Sequence, residues 1–417
     1  MRQAETSQTE RPHLGPLPPQ AGEGESGALH VFLVFLRLGL TSFGGPVAHL
    51  GFFRTAFVER RRWLSDAAYA DLVALCQFLP GPASSQVGMA IGLGRAGLPG
   101  ALAAWLGFTL PSAVLLVAFA YGLGWLDGAL GSGWLHGLKL AAVAVVAQAV
   151  WAMGKGLCPD RPRQSLAILA AAVALAWPTV WGQLAVLALG AGAGWALYRG
   201  EAAKAGEALA APVPRWLALA CLALFGLLLV LLPLLARESG SQAVAYADSF
   251  YRAGSLVFGG GHVVLPLLQA EVVAPGWVAP DAFLAGYGAA QAVPGPLFTF
   301  AAYLGAVMGP APNGWQGAIL CLGAIFLPSF LLVVGALPFW SALRARPGAQ
   351  ALLRGVNAAV VGLLLAAFWN PVVTVAVLTP LDAALALLLF ALLALWKWPP
   401  WLVVALGALG GAGLAAL

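Results

Sequence analysis

The sequence predicts an all-α integral membrane protein built from two inverted-topology repeats, with helices broken by glycine and proline. Three observations predict it. Of 417 residues, 61% are hydrophobic and only 9% charged, against about 25% charged in an average soluble domain. Apolar runs such as Ala101–Tyr121, Trp216–Leu235 and Ala383–Trp396 recur along the chain, as membrane helices require. The chain also matches itself at a shift of about 215 residues. A soluble enzyme and a nucleic-acid binder are excluded. The +5 net charge, 21 Lys and Arg against 16 Asp and Glu, reads as topology information.

Residues 1–27, with Pro12, Pro16, Pro18, Pro19 and four glutamates, read as a disordered tail. They lack the ordered basic, apolar and small-residue regions of a signal peptide. Gly24-Glu-Ser26-Gly27 imitates an intramembrane protease motif but lies outside any apolar segment. Residues 28–198 form the first repeat, 199–214 a polar linker and 215–237 an extra transmembrane helix. Residues 247–417 form the second repeat. The extra crossing has no counterpart, so the second repeat enters the membrane inverted.

The internal matches keep one order. Phe35-Leu-Arg37-Leu-Gly39 with Phe43-Gly-Gly-Pro46 corresponds to Phe250-Tyr-Arg252-Ala-Gly254 with Phe258-Gly-Gly-Gly261. Gln77–Pro82 corresponds to Gln291–Pro296, Leu110-Pro-Ser112 to Leu327-Pro-Ser329, and Gly137-Leu-Lys139 to Gly355-Val-Asn357. Each half holds two broken helical segments and then four continuous ones. From a cytoplasmic N-terminus, Lys155, Arg161, Arg163, Arg199, Lys204, Arg215, Arg344, Arg346 and Lys397 fall on the cytoplasmic side, as the positive-inside rule asks. Arg60, Arg61 and Arg62 join them only if Val31–Val58 turns back at Gly44-Gly45-Pro46. Its arms span about 20 Å at 1.5 Å per residue, short of a core of about 30 Å. Paired re-entrant hairpins in each half are therefore favoured over thirteen full spans.

The buried charge points to an anion. No acidic residue sits in the middle of an apolar segment; Asp66, Asp71, Asp248, Glu271 and Asp281 lie at segment ends. Arg37, Arg252 and Lys139 do sit within apolar or Gly-rich segments, where an unpaired charge marks a pathway by default; snorkelling is the alternative reading. The repeat pairs Arg37 with Arg252 and Lys139 with Asn357. The breaks at Gly44-Gly45, Pro80-Gly81-Pro82, Gly259-Gly260 and Pro294-Gly295-Pro296 each start a new half-helix. The free N–H groups there suit a tetrahedral oxyanion; packing kinks are the alternative. Gln77 and Gln291 stand three residues before each Pro-Gly-Pro. His49 and His262 follow the Gly-Gly breaks and are candidates for proton coupling. The cysteines have no zinc or disulfide spacing, and no metal or cofactor is expected. Gly92-Leu-Gly94-Arg-Ala-Gly97 is read as a loop, since no strand precedes it.

With these motifs in view, residues 29 to 417 resemble the long two-domain form of the chromate ion transporter family. The resemblance rests on Phe43-Gly-Gly-Pro46, Gln77–Pro82, Gly137-Leu-Lys139-Leu-Ala-Ala and their second-half versions. It implies a bacterial inner-membrane carrier that exports chromate on the proton or potential gradient and confers resistance. Arg37 and Arg252 would neutralise the dianion. Sulfate uptake is the alternative, because sulfate has the same charge and shape. A membrane enzyme acting on an anionic lipid headgroup is a third reading, disfavoured by the lack of a buried acid. The partners are the oxyanion and the lipid bilayer; a homodimer is compatible with the sequence but not read from it.

Overall fold

The structure, a computed structural model, describes residues 27–130, 133–200, 213–258, 261–340, 342 and 346–415. The tail through Ser26, Lys204, Gly259, Gly260 and Arg344 lie outside the described residues.

The first repeat opens with two helical hairpins. Helix α1 (Ala28–Thr41) ends at Ser42-Phe43-Gly44. Gly44 and Gly45 have φ of 99° and 77°, a left-handed conformation that only glycine adopts freely. Pro46 then sits in the first turn of α2 (Gly45–Arg54), where its missing N–H costs nothing. A π-helical turn continues α2 to Arg60. The chain folds back: Phe35 packs on Phe53 and Phe57 at 5.6 and 5.1 Å, and Trp63 returns to 6.1 Å from His30. Arg60–Arg62 therefore lie level with the start of α1, as the hairpin reading expects.

The second hairpin joins α3 (Asp66–Phe78), N-capped by Ser65, to the first arm of α4 (Ala83–Leu130). It folds back as well, since Arg95 stacks over Trp63 at 4.7 Å. Helix α4 is itself broken at Ala96 and Gly97. The expected loop at Gly92–Gly97 is thus the end of one arm plus a two-residue reversal. Gly92 and Gly100 meet there with no room for a Cβ on either.

The second repeat repeats these moves. Helix α9 (Gln242–Leu256) returns along α10 (Val264–Val272), with Tyr246 against Trp277 at 4.8 Å. Helix α11 (Pro280–Ala292) returns along α12 (Phe300–Val307), where Tyr303 Oη donates to the Ala282 carbonyl at 2.8 Å. Gly305 and Gly317 close up as Gly92 and Gly100 do.

Longer helices follow in each half: α5 (Gly133–Leu157), α6 (Arg161–Ala176) and α7 (Val180–Tyr198) after α4, and α13 (Gly314–Ala336), α14 (Pro347–Ala367), α15 (Pro380–Ala394) and α16 (Pro400–Leu414). Among the described residues, five helices are long and apolar enough to cross a membrane, although the one counted from Ala83 includes the Ala96–Gly97 break. The chain is a multi-pass membrane protein. The extra helix α8 (Arg215–Ser239) is the most apolar, yet only 6% of its apolar window is buried against 50% or more in the others. It lies at the periphery of the described residues. The second arm of α4 and helices α5 to α8 lie between the two hairpin pairs.

The two repeats interlock. Gly137 of α5 packs on Gly407 and Gly411 of α16, and its repeat mate Gly355 of α14 packs on Gly190 and Gly194 of α7. Small residues allow this close approach, which drives helix association in lipid. Gly355→Leu is expected to cost about 3 kcal/mol, the upper end for overpacking, and to deplete monodisperse protein on size exclusion. Gly323→Leu, where nothing lies within 4 Å, should leave the yield unchanged. On the loop before α6, Asp160 accepts from Arg163 side chain and backbone, which holds its carboxyl down at about 2.

Candidate functional site: four helix breaks at a pseudo-two-fold axis

The four breaks converge. Gly295 N–H donates to the Ser42 carbonyl at 2.9 Å, and Gly81 N–H donates to the Val257 carbonyl at 2.7 Å. Ser42 and Val257 are repeat mates, as are Gly81 and Gly295, so one bond is the symmetry image of the other. Pro46 also faces its own repeat mate: a Cβ on Gly261 would lie 3.3 Å from Pro46 Cγ. The pseudo-two-fold axis therefore passes beside Pro46 and Gly261.

Beside the axis, Gly44, Gly45, His262, Gln291 and Gly295 line a cavity of about 20 Å³ with Pro400 at its rim. That volume holds about one water. No carboxylate lines it. His262 Nδ1 stands 2.9 Å from Tyr287 Oη, which leaves Nε2 facing Gly45. Gln291 Nε2 is buried without a hydrogen-bond partner.

The sequence profile of the chromate transporter family matches residues 29–195 and 244–412, one segment on each repeat. The chain belongs to the chromate transporter family. It is 31% identical over 347 residues to a chromate transport protein of Pseudomonas aeruginosa, covering 80% of this chain and 78% of that one. A chromate transport protein of Cupriavidus metallidurans is 28% identical, over 87% and 86% of the two chains. An uncharacterized transporter of Methanocaldococcus jannaschii is 26% identical, over 81% and 83%. No solved structure matches.

In this chromate transporter family member the remaining expected site residues divide. Arg37 is exposed on α1, within electrostatic reach of Arg61. Arg252 does not line the cavity. Its Nε and Nη2 each lie 2.9 Å from a Glu271 carboxylate oxygen, and Nη2 lies 3.0 Å from Asp248. The two arginines are thus not a matched pair at the site: one is exposed, the other is occupied by two carboxylates. Lys139 is largely buried and pairs with exposed Asp281 at 2.8 Å. Asn357 Oδ1 is buried without a partner. Gln77 is exposed, unlike its mate Gln291. His49 is buried away from the cavity lining, with Nδ1 3.3 Å from Ser84 Oγ and its ring edge-on to Phe108.

The expected lack of a buried acid fails. Asp71, Asp248, Glu271 and Asp382 are all buried. Side-chain partners account for three of them. Arg252 takes Asp248 one helical turn before it and Glu271 19 residues on, while Asp382 caps α15 and meets His136 of α5 at 2.7 Å. These buried acids remove the argument against a membrane enzyme that rested on their lack.

Several residues beside the breaks went unpredicted. Gln86 is fully buried and donates to the Pro80 carbonyl at 2.7 Å. Ser112 stands against Gly295 and its repeat mate Ser329 against Gly81. The Leu-Pro-Ser match between the halves was the available signal for these serines.

Proposed function

We propose that this protein is a secondary active transporter of a divalent tetrahedral oxyanion, exporting chromate across the bacterial inner membrane and so conferring chromate resistance. The N-terminus lies in the cytoplasm. The observation that carries the reading is the convergence of four half-helix breaks on one axis, next to a cavity free of carboxylates. Backbone N–H groups at Gly44 and Gly45 and the Gln291 amide hold oxyanion oxygens, aided by the positive ends of the half-helices. His262 carries the coupling proton, and the bonds at Ser42–Gly295 and Val257–Gly81 are the contacts across which the two repeats rock.

The cavity is too small for a four-oxygen anion, so this conformation is closed around the site. Everted vesicles test the reading. They should accumulate chromate on a proton gradient, stop when an uncoupler is added, and show graded competition by sulfate. Accumulation that ignores the gradient would overturn the carrier mechanism. Gln291→Leu removes a hydrogen bond to a charged ligand, worth about 1.5–3 kcal/mol. It should raise KM by about ten- to a hundredfold, and an unchanged KM would remove Gln291 from the site.

A further inference from the structure

We propose that a second cavity, lined by Lys155 and Lys397, is an antechamber that binds the divalent oxyanion before it passes between Gly44 and Pro400 to the axis. The inference rests on the transport reading above and adds the route of entry. This cavity is about 510 Å³ and is lined also by Gln148, Trp151 and Trp398. Gly44 and Pro400 line both cavities, so they form the septum between them. The larger space is roomy enough for a hydrated dianion; the smaller is not.

Its charge fits that ligand. Lys155 and Lys397 are the charged residues among its lining, and no carboxylate joins them. Lys155 Nζ is held 4.5 Å from the centre of the Trp151 ring, a cation–π contact that fixes the ammonium beside the cavity. Lys397 sits at a left-handed φ of 55° in the turn between α15 and α16. The Trp398 N–H, bonded to the Leu392 carbonyl at 3.0 Å, closes that turn. Pro400 opens α16, so the positive end of that helix faces the septum. Two ammonium groups plus a helix dipole suit a double negative charge, and a concave basic wall concentrates anions.

The septum is thin. Gly44 and Gly45 are consecutive left-handed glycines without side chains, while Phe43 rests against Trp401 at 6.4 Å. Passage from one cavity to the other requires the Gly44 backbone and Pro400 to separate.

The test uses the full chain and two readouts. In everted vesicles, Lys155→Gln with Lys397→Gln should raise the chromate KM about tenfold, the low end for electrostatic focusing. The maximal rate should stay within twofold, and the dependence of KM on ionic strength should flatten. Lys155→Arg with Lys397→Arg should restore both. In detergent, chromate should slow acylation of Lys155 and Lys397 while leaving Lys139, paired with Asp281, unaffected. Working transport with an unchanged KM and no protection would overturn the antechamber. Protection in a protein that moves no chromate would overturn the carrier reading, and with it the antechamber's place on a route, leaving an oxyanion-binding cavity at Lys155 and Lys397.

Discussion

Gly295→Ala is expected to reduce chromate transport at least a hundredfold at normal protein yield. Gly295 holds φ at 102°, where an alanine costs about 1–3 kcal/mol of backbone strain. Its Cβ would also lie 2.8 Å from Ser112 Oγ and 3.1 Å from the Phe108 carbonyl. Relief requires the break to move, and that movement breaks the Gly295–Ser42 bond and displaces a cavity wall. Initial rates in everted vesicles, normalised to protein, provide the measurement. Gly240→Asn is the control, because Gly240 ends α8 at φ 60° with nothing within 4 Å. Asparagine tolerates that cap position. Transport by Gly295→Ala at the control's rate would sink the site.

Arg252→Met should destabilise the protein by about 3 kcal/mol, the lower end for breaking a buried ion pair. Glu271 and Asp248 are only 8% and 12% exposed at their side chains, so they would be left buried and uncompensated. Thermal unfolding in detergent measures the loss. Adding Glu271→Gln and Asp248→Asn to Arg252→Met should restore most of it, since neutral groups carry no such penalty. Arg37→Gln is expected to stay within about 0.5 kcal/mol of the parent with an unchanged chromate KM. Equal losses at Arg37 and Arg252 would contradict the different surroundings described here.

The backbone of the fold was legible because duplication writes itself twice. Each Gly-Gly and Pro-Gly-Pro break is a local property of a few residues, and the repeat showed which breaks correspond. Convergence at one axis then follows from symmetry. Charge was harder to read. Arg252 meets Glu271 across a hairpin, 19 residues away, and its mate Arg37 has no carboxylate opposite: positions 33 and 56, which match Asp248 and Glu271 at the repeat shift, are Leu33 and Ala56. Symmetry of sequence position therefore did not carry over to symmetry of environment. Gln77 and Gln291 diverge in the same way, one exposed and one at the cavity. Lys155 and Lys397 look like topology markers in the sequence, because nothing local shows that residues so far apart share a wall.

The crossed packing of the two halves has a consequence for how the protein is made. Helix α5 emerges from the ribosome with Gly133 and Gly137 bare, and the helix that covers them begins at Pro400. At about 5–20 residues per second, synthesis of the intervening chain takes roughly 12–50 seconds. Throughout that interval the first half has its own hairpins in place but an unfinished flank, held open in the bilayer for a partner not yet translated. Closure of this seam is thus timed by α16, and a chain released before it would be left with a small-residue groove exposed to lipid and to its neighbours.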